Sequence, residues 1–245
     1  MKNRQKALRQ VMSTDGLTLE MAAVLYNEFF LFPEMYEKWY KVQPGDVVVD
    51  IGGCVGMMTA KALDAGASKI YMIEGNRKLI KTAIGNLSEY IMNEPDPRVY
   101  PINCIMGSSA PEGVYTTHDD AVGYDEVDHK TFQEFIEEYN INHIDYLKMD
   151  IEGNEYDVLN EESLEYISNN VKHLAMEVHI KANENTCERF LHFRNTFIKH
   201  FYESPYHKVR GLGDGQFINK SMWDDQYIRN LPLERSFFML YITRE

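Results

Sequence analysis

The chain alternates short, almost wholly apolar runs with longer stretches whose apolar residues recur every three to four positions. Five runs, at 47–51, 69–75, 99–107, 144–153 and 171–180, are rich in apolar residues, and 47–51 is apolar at all but one position. That is how strands buried on both faces of a parallel sheet read. Between them the pattern predicts helices over 57–64, stopped near Gly66, over 77–88 with Asn76 as N-cap, and over 130–140. The last carries Phe132, Phe135, Ile136 and Tyr139 on one side. Helical patches follow at 155–159 and 187–201. Segments 208–217 and 236–244 read as two closing strands that pair antiparallel at the sheet edge. Residues 108–128 read as a loop or as short irregular strands. Residues 1–43 read as helical, with Tyr36 and Trp39 as core or lid aromatics before a "QPGD" turn. Alternating strands and helices predict one three-layer α/β domain with a mostly parallel sheet and a helical N-terminal extension over 1–43.

Composition narrows the function. The chain has 245 residues, 44% of them hydrophobic, enough for one sizeable core. Its formal net charge of −13 repels phosphate backbones, so nucleic acid is not expected as a partner. Basic residues cluster only at 2–9 and 207–210. Cys54, Cys104 and Cys187 form no C-x-x-C pair, so free thiols in a reducing, cytoplasmic setting are expected. No apolar run nears the ~20 residues that span a bilayer, and the N-terminus lacks a signal-peptide core. No membrane partner is expected.

The candidate chemistry begins at 47–59, "VVVDIGGCVGMMT". In an open α/β sheet, ligands lie beyond the carboxyl ends of the strands. Asp50 ends the first strand, Gly52 and Gly53 let backbone approach a ligand, and Gly56 opens the next helix. A dinucleotide loop, G-x-G-x-x-G, would need glycine at position 51, which is Ile51. The register is instead D-x-G-x-x-x-G. An acid there suits a cationic ligand such as S-adenosylmethionine (SAM), which carries a sulfonium and an ammonium group and no phosphate. Glu74, ending the second strand, is placed to accept the ribose hydroxyls. Cys54 and Met57 in the loop, Gly75 and Asn76 after Glu74, and Asn103 near the adenine edge complete the expected cofactor contacts.

A second group of candidates lies at 148–155 and 177–179. Asp150 faces the sulfonium or orients the acceptor. Glu152 joins it; one of Glu152 and Glu155 could instead serve the helix N-terminus, and Lys148 is an ion partner of Asp150. His179 is the candidate general base, with Glu177 on the same strand face to orient its ring. Asp150, Glu152 and His179 together could hold a metal, but their mixed oxygen and nitrogen donors suit Mg or Mn poorly, and no metal is expected.

"VVVDIGGCVGMMT", "YMIEGN", "IDYLKMDIEGNEYDVL" and "LAMEVH" together resemble the FkbM-like family of class I SAM-dependent methyltransferases. The resemblance covers about 44–180. Its most specific motif is K-x-D-x-E-G-x-E, here Lys148, Asp150, Glu152, Gly153 and Glu155. It implies SAM as cofactor, O-methylation of a hydroxyl or carboxyl group on a small molecule or glycan, and a Rossmann-like seven-stranded sheet of order 3-2-1-4-5-7-6 whose last strand is antiparallel. The cofactor-binding core would then occupy 44–203, and 204–245 would supply edge strands and substrate-side loops. The family usually carries a small residue and Asn where Gly53 and Cys54 stand, and Glu-Pro where Glu74–Gly75 stands. An NAD-type oxidoreductase and a non-catalytic SAM-binding module are the alternatives. The acceptor would lie against 108–128 and 204–233; the oligomeric state is open.

Overall fold

The computed structural model describes residues 13–31, 34–92, 97–107, 127–181, 184–212, 216–231 and 236–245. Most of the 108–128 loop therefore falls outside the described residues, as do residues 1–12 of the N-terminal extension. Nine strands occur among the described residues: β1 (Val47–Ile51), β2 (Lys69–Ile73), β3 (Val99–Ile102), β4 (Cys104–Met106), β5 (Asp128–Lys130), β6 (Ile144–Met149), β7 (Val171–Lys181), β8 (His207–Gly211) and β9 (Ser236–Arg244). Seven form one sheet in the order β3-β2-β1-β6-β7-β9-β8, while β4 and β5 pair separately. Counting only the strands of the large sheet, this is the expected order 3-2-1-4-5-7-6. It is a Rossmann-like class I methyltransferase fold.

The chain divides into two compact units, Met1–Ile105 with Gly113–His129, and Met106–Glu112 with Lys130–Glu245. In the first unit β1, β2 and β3 are parallel, with Asp50 opposite Met72 and Ile73 opposite Ile102. Val48, Val49, Ile70 and Met72 are fully buried, which is why these runs show no alternation of apolar and polar residues. Helix Met57–Ala65 stops at Gly66, whose φ of 94° a side chain would resist. Helix Arg77–Asn86 starts at Asn76, whose side chain accepts hydrogen bonds from the backbone of Lys78 and Leu79. The N-terminal extension is helical over Leu19–Tyr26, continues as a π-turn over Asn27–Leu31, and forms one more turn at Glu34–Glu37. Beyond residue 37 it is not helical. Tyr36 is buried and stacks on Phe29 at 5.1 Å, so it belongs to the core, while Trp39 is exposed.

In the second unit β6 and β7 are parallel, and β9 runs antiparallel to both β7 and β8. The pairing puts Met149 opposite Met176 and His179 opposite Phe237. Helix Phe132–Glu138 begins with a capping box in which the Thr131 side chain and Glu134 exchange hydrogen bonds with each other's backbone. Phe132, Phe135, Phe190, Phe197 and Phe201 form the centre of this unit's core. The sequence pattern did not indicate helix Glu161–Asn170. The strand expected over 208–217 ends at Gly211, and Gln216–Asn219 is helical instead. A side chain at Gly211 would meet Ile218 Cγ1 at 2.5 Å, so the returning helix turn uses the space that a longer side chain would fill. No helix among the described residues is long and apolar enough to cross a membrane.

Candidate functional site

The glycine loop is held to β2 by backbone. Gly52 and Gly53 both donate to the Ile73 carbonyl at 2.9 Å. Gly52 and Gly56 have φ of 81° and 87°, which only glycine adopts without strain. Gly53 has another reason to be bare. A Cβ there would stand 2.4 Å from Met72 Cγ. A Cβ on Gly56 would meet Leu87 Cδ1 at 3.0 Å, so its closeness serves packing against the end of helix Arg77–Asn86. Cys54, the loop's next residue, has φ of 50° despite its side chain.

Glu74 is buried at the end of β2, and both its oxygens are in use. Oε2 accepts from the Cys54 amide at 2.9 Å and Oε1 from the Asn76 amide at 2.8 Å. One carboxylate thus joins the glycine loop to the turn after β2. Asn103 secures the same turn: its amide donates to the carbonyls of Glu74 at 2.8 Å and Gly75 at 3.0 Å. It also interrupts the run 99–107, which is two strands rather than one. Asp50 is fully buried, and Thr59 Oγ1 donates to its Oδ2 at 2.8 Å. Met57 is buried at the first turn of its helix. Asp50, Cys54, Gly75, Asn76, Glu74 and Asn103 therefore gather around the carboxyl ends of β1 and β2. Met57 packs inward.

The second unit gathers its own cluster. Strand parity places Lys148, Asp150, Glu177 and His179 on one face, because Lys148 pairs with Ala175 and Met149 with Met176. Lys148 is buried, with Nζ 3.9 Å from Asp150 Oδ2. The His179 ring is flanked on both nitrogens. Nδ1 lies 3.0 Å from Glu155 Oε1, and Nε2 lies 3.3 Å from Glu177 Oε1 and 3.4 Å from Glu152 Oε2. Glu155 is wholly buried, and its Oε1 also accepts from the amides of Ile151 at 3.3 Å and Gly153 at 3.1 Å. It or Glu152 was expected to serve the helix N-terminus. It is instead the buried carboxylate that fixes the histidine ring, a role the sequence reading gave to Glu177.

These charges shift one another. Burial opposes charge on His179, yet Glu155, Glu177 and Asp150 outweigh it and hold the ring's pKa up at about 12. The protonated ring is the form that these carboxylates favour. The Glu152 carboxyl is raised to about 7, first by loss of solvent and then by Asp150, Glu177 and Glu155, with His179 opposing. Its side chain is still 51% exposed, so solvent screens part of this effect. Burial also raises Glu177.

The fold and the acid-closed glycine loop define a Rossmann-like methyltransferase. The family model for the FkbM methyltransferase domain matches residues 50–204, and the chain belongs to that family of SAM-dependent methyltransferases. SAM is its cofactor, and the dinucleotide alternative falls with that. Comparison with curated proteins gives no match. Among solved structures, the methyltransferase FkbM from Methylobacillus flagellatus shares 17% identity and a TM-score of 0.51, over 84% of this chain and 45% of that one. This chain thus spans less than half the length of that relative. A candidate rRNA methylase from Clostridium thermocellum shares 14% identity over 94% and 100% of the two chains, with a TM-score of 0.48. A candidate methyltransferase from Streptococcus mutans, in complex with SAH, shares 12% identity over 89% and 97%, with a TM-score of 0.49.

Proposed function

We propose that this chain transfers the methyl group of SAM to a hydroxyl oxygen of a small molecule or glycan. The observation that carries this reading is the arrangement of Asp150, Glu152 and Glu177 around the Nε2 side of His179. So many carboxylates repel an acceptor that is itself a carboxylate and repel a phosphate backbone. They suit a neutral acceptor that donates hydrogen bonds. The sulfonium is a good, neutral leaving group, so the protein's main task is alignment. Asp150 and Glu152 accept the hydroxyl's hydrogen bond and take its proton as the oxygen attacks the methyl carbon. The carbon–sulfur bond breaks, and S-adenosylhomocysteine leaves. Glu74 binds the ribose hydroxyls, and Asp50 with the glycine loop serves the cationic end of the cofactor.

The test is a label-transfer assay with methyl-labelled SAM and three acceptor pools: sugars and glycans, small carboxylic acids, and total RNA. Label in alkali-stable ethers of the first pool is the expected outcome. Label in alkali-labile esters moves the acceptor to a carboxyl group, and label in RNA overturns the reading.

A further inference from the structure

We propose that Asp150, Glu152 and His179 form a binding site for one divalent transition-metal ion, with Mn2+ as its best-suited occupant. One donor atom from each of the three lies within 4.8 Å of the others. Around an ion about 2.1 Å from each ligand, donors in tetrahedral directions stand about 3.4 Å apart, and opposite donors about 4.2 Å. The His179 Nε2 to Glu152 Oε2 distance of 3.4 Å falls in that range. Glu177 Oε1, 3.3 Å from the same nitrogen, is within reach as a fourth donor.

The ring's polarity points the same way. Glu155 Oε1 faces Nδ1 at 3.0 Å and is an acceptor only, so Nδ1 carries a proton. The other nitrogen turns toward Glu152 and Glu177, and a neutral ring would set its lone pair against their oxygens. With no ion bound a proton on Nε2 removes that conflict, and a metal ion takes the same position by displacing the proton. Metal-bound histidines characteristically donate their second N–H to a carboxylate, and Glu155 provides it. Glu155 gives a second and separate sign. It is fully buried, its carboxylate is aimed at the His179 ring, and its Oε2 has no hydrogen-bond partner. Four carboxylates, Asp150, Glu152, Glu155 and Glu177, surround two groups able to carry positive charge, Lys148 and His179, which leaves room for a further cation.

The donor set selects the ion. Carboxylates suit Mg2+, Ca2+ and Mn2+, whereas imidazole suits transition metals; a mixed set of acids with one imidazole suits Mn2+ above the other hard cations. That reverses the sequence-based expectation, which judged the same mixed donors against Mg and Mn together. If the hydroxyl reading above holds, the ion would also lower the acceptor's pKa as a Lewis acid. The site itself does not depend on that reading.

The experiment uses the full chain, freed of metal with a chelator and dialysed. Mn2+ binding is followed by loss of the free-ion EPR signal and by calorimetry, with Mg2+ in parallel. One Mn2+ per chain, bound more tightly than Mg2+, is expected. Glu152→Gln and His179→Gln should each weaken Mn2+ at least about tenfold. Mn2+ should raise the melting temperature of the wild type and not of the variants. Glu152 is partly exposed, so its variant tests the site even if the histidine variant folds poorly. Absence of a stoichiometric site, or equal Mn2+ affinity in wild type and Glu152→Gln, overturns the proposal. SAM affinity and methyl transfer are measured separately. A chain that binds Mn2+ but methylates no hydroxyl sinks the acceptor reading alone.

Discussion

Glu74 does two jobs whose costs separate by experiment. Its oxygens hold the amides of Cys54 and Asn76, and the ribose hydroxyls are the proposed further donors. Glu74→Ala leaves two backbone amides unpaired. The ligand-free protein should then lose about 1–3 kcal/mol of stability. SAM affinity should fall by about 2–4 kcal/mol, the scale of two charge-assisted hydrogen bonds. Urea melts and calorimetry read the two separately. Full stability in the variant means that the amides find other partners, and intact SAM affinity removes the ribose role. Cys54 offers a quieter test beside it. Its φ of 50° is left-handed, a region that Asn tolerates and β-branched residues resist. Cys54→Asn should match or exceed wild-type stability by up to about 1 kcal/mol, and Cys54→Val should lose about 1–2 kcal/mol. Equal melting of the two variants would mean that the loop relaxes out of the left-handed region.

Elements show which parts of the molecule could be read before the structure. β1, β2, β6 and β7 were legible because burial on both faces leaves long apolar runs. The start of helix Arg77–Asn86 was legible because Asn76 is a strong cap. Helix Glu161–Asn170 was not. Its buried residues are Ser163 and Ile167, too few for a visible stripe, and its cap is Asn160 paired with Ser163 rather than with an acid. In the site, the face shared by Glu177 and His179 followed from strand parity, while the register of β6 on β7 was needed to bring Asp150 to it. Glu155 was missed as the partner of His179 because a turn after β6, not parity, brings it there. The glycine loop shows the same limit. Gly53 read as a ligand contact, but its immediate neighbour is Met72 of β2. Gly53→Ala should therefore cost about 1–3 kcal/mol through overpacking, and shortening the neighbour in Gly53→Ala/Met72→Ala should show favourable coupling. Additive losses in that double mutant would free the glycine from its packing role.

At the scale of the whole molecule, acid raises a competition between global charge and one half-buried imidazole. With a formal charge of −13, the chain gains from early protonation because self-repulsion falls. His207 works the other way. It opens β8, packs edge-on against the buried ring of Phe201 at 4.9 Å, and has Ser204 Oγ 2.8 Å from Nδ1 and the Ser168 carbonyl 3.1 Å from Nε2. Burial lowers its pKa, His200 and Arg244 add to that, and the Ser168 carbonyl opposes it. A depressed folded-state pKa means that the unfolded chain takes up the proton first. The stability tied to neutral His207 is therefore complete above the usual histidine value of about 6.5 and is lost as pH falls below it. His207→Gln keeps polar atoms at the site but cannot titrate. The variant should be the less stable protein at pH 8, through lost packing on Phe201, and the gap should narrow steadily between pH 7 and pH 5. Taking the difference between the two melts at each pH cancels the global charge term, which both proteins share. A gap that stays constant across that range would mean that His207 titrates alike in the folded and unfolded chains.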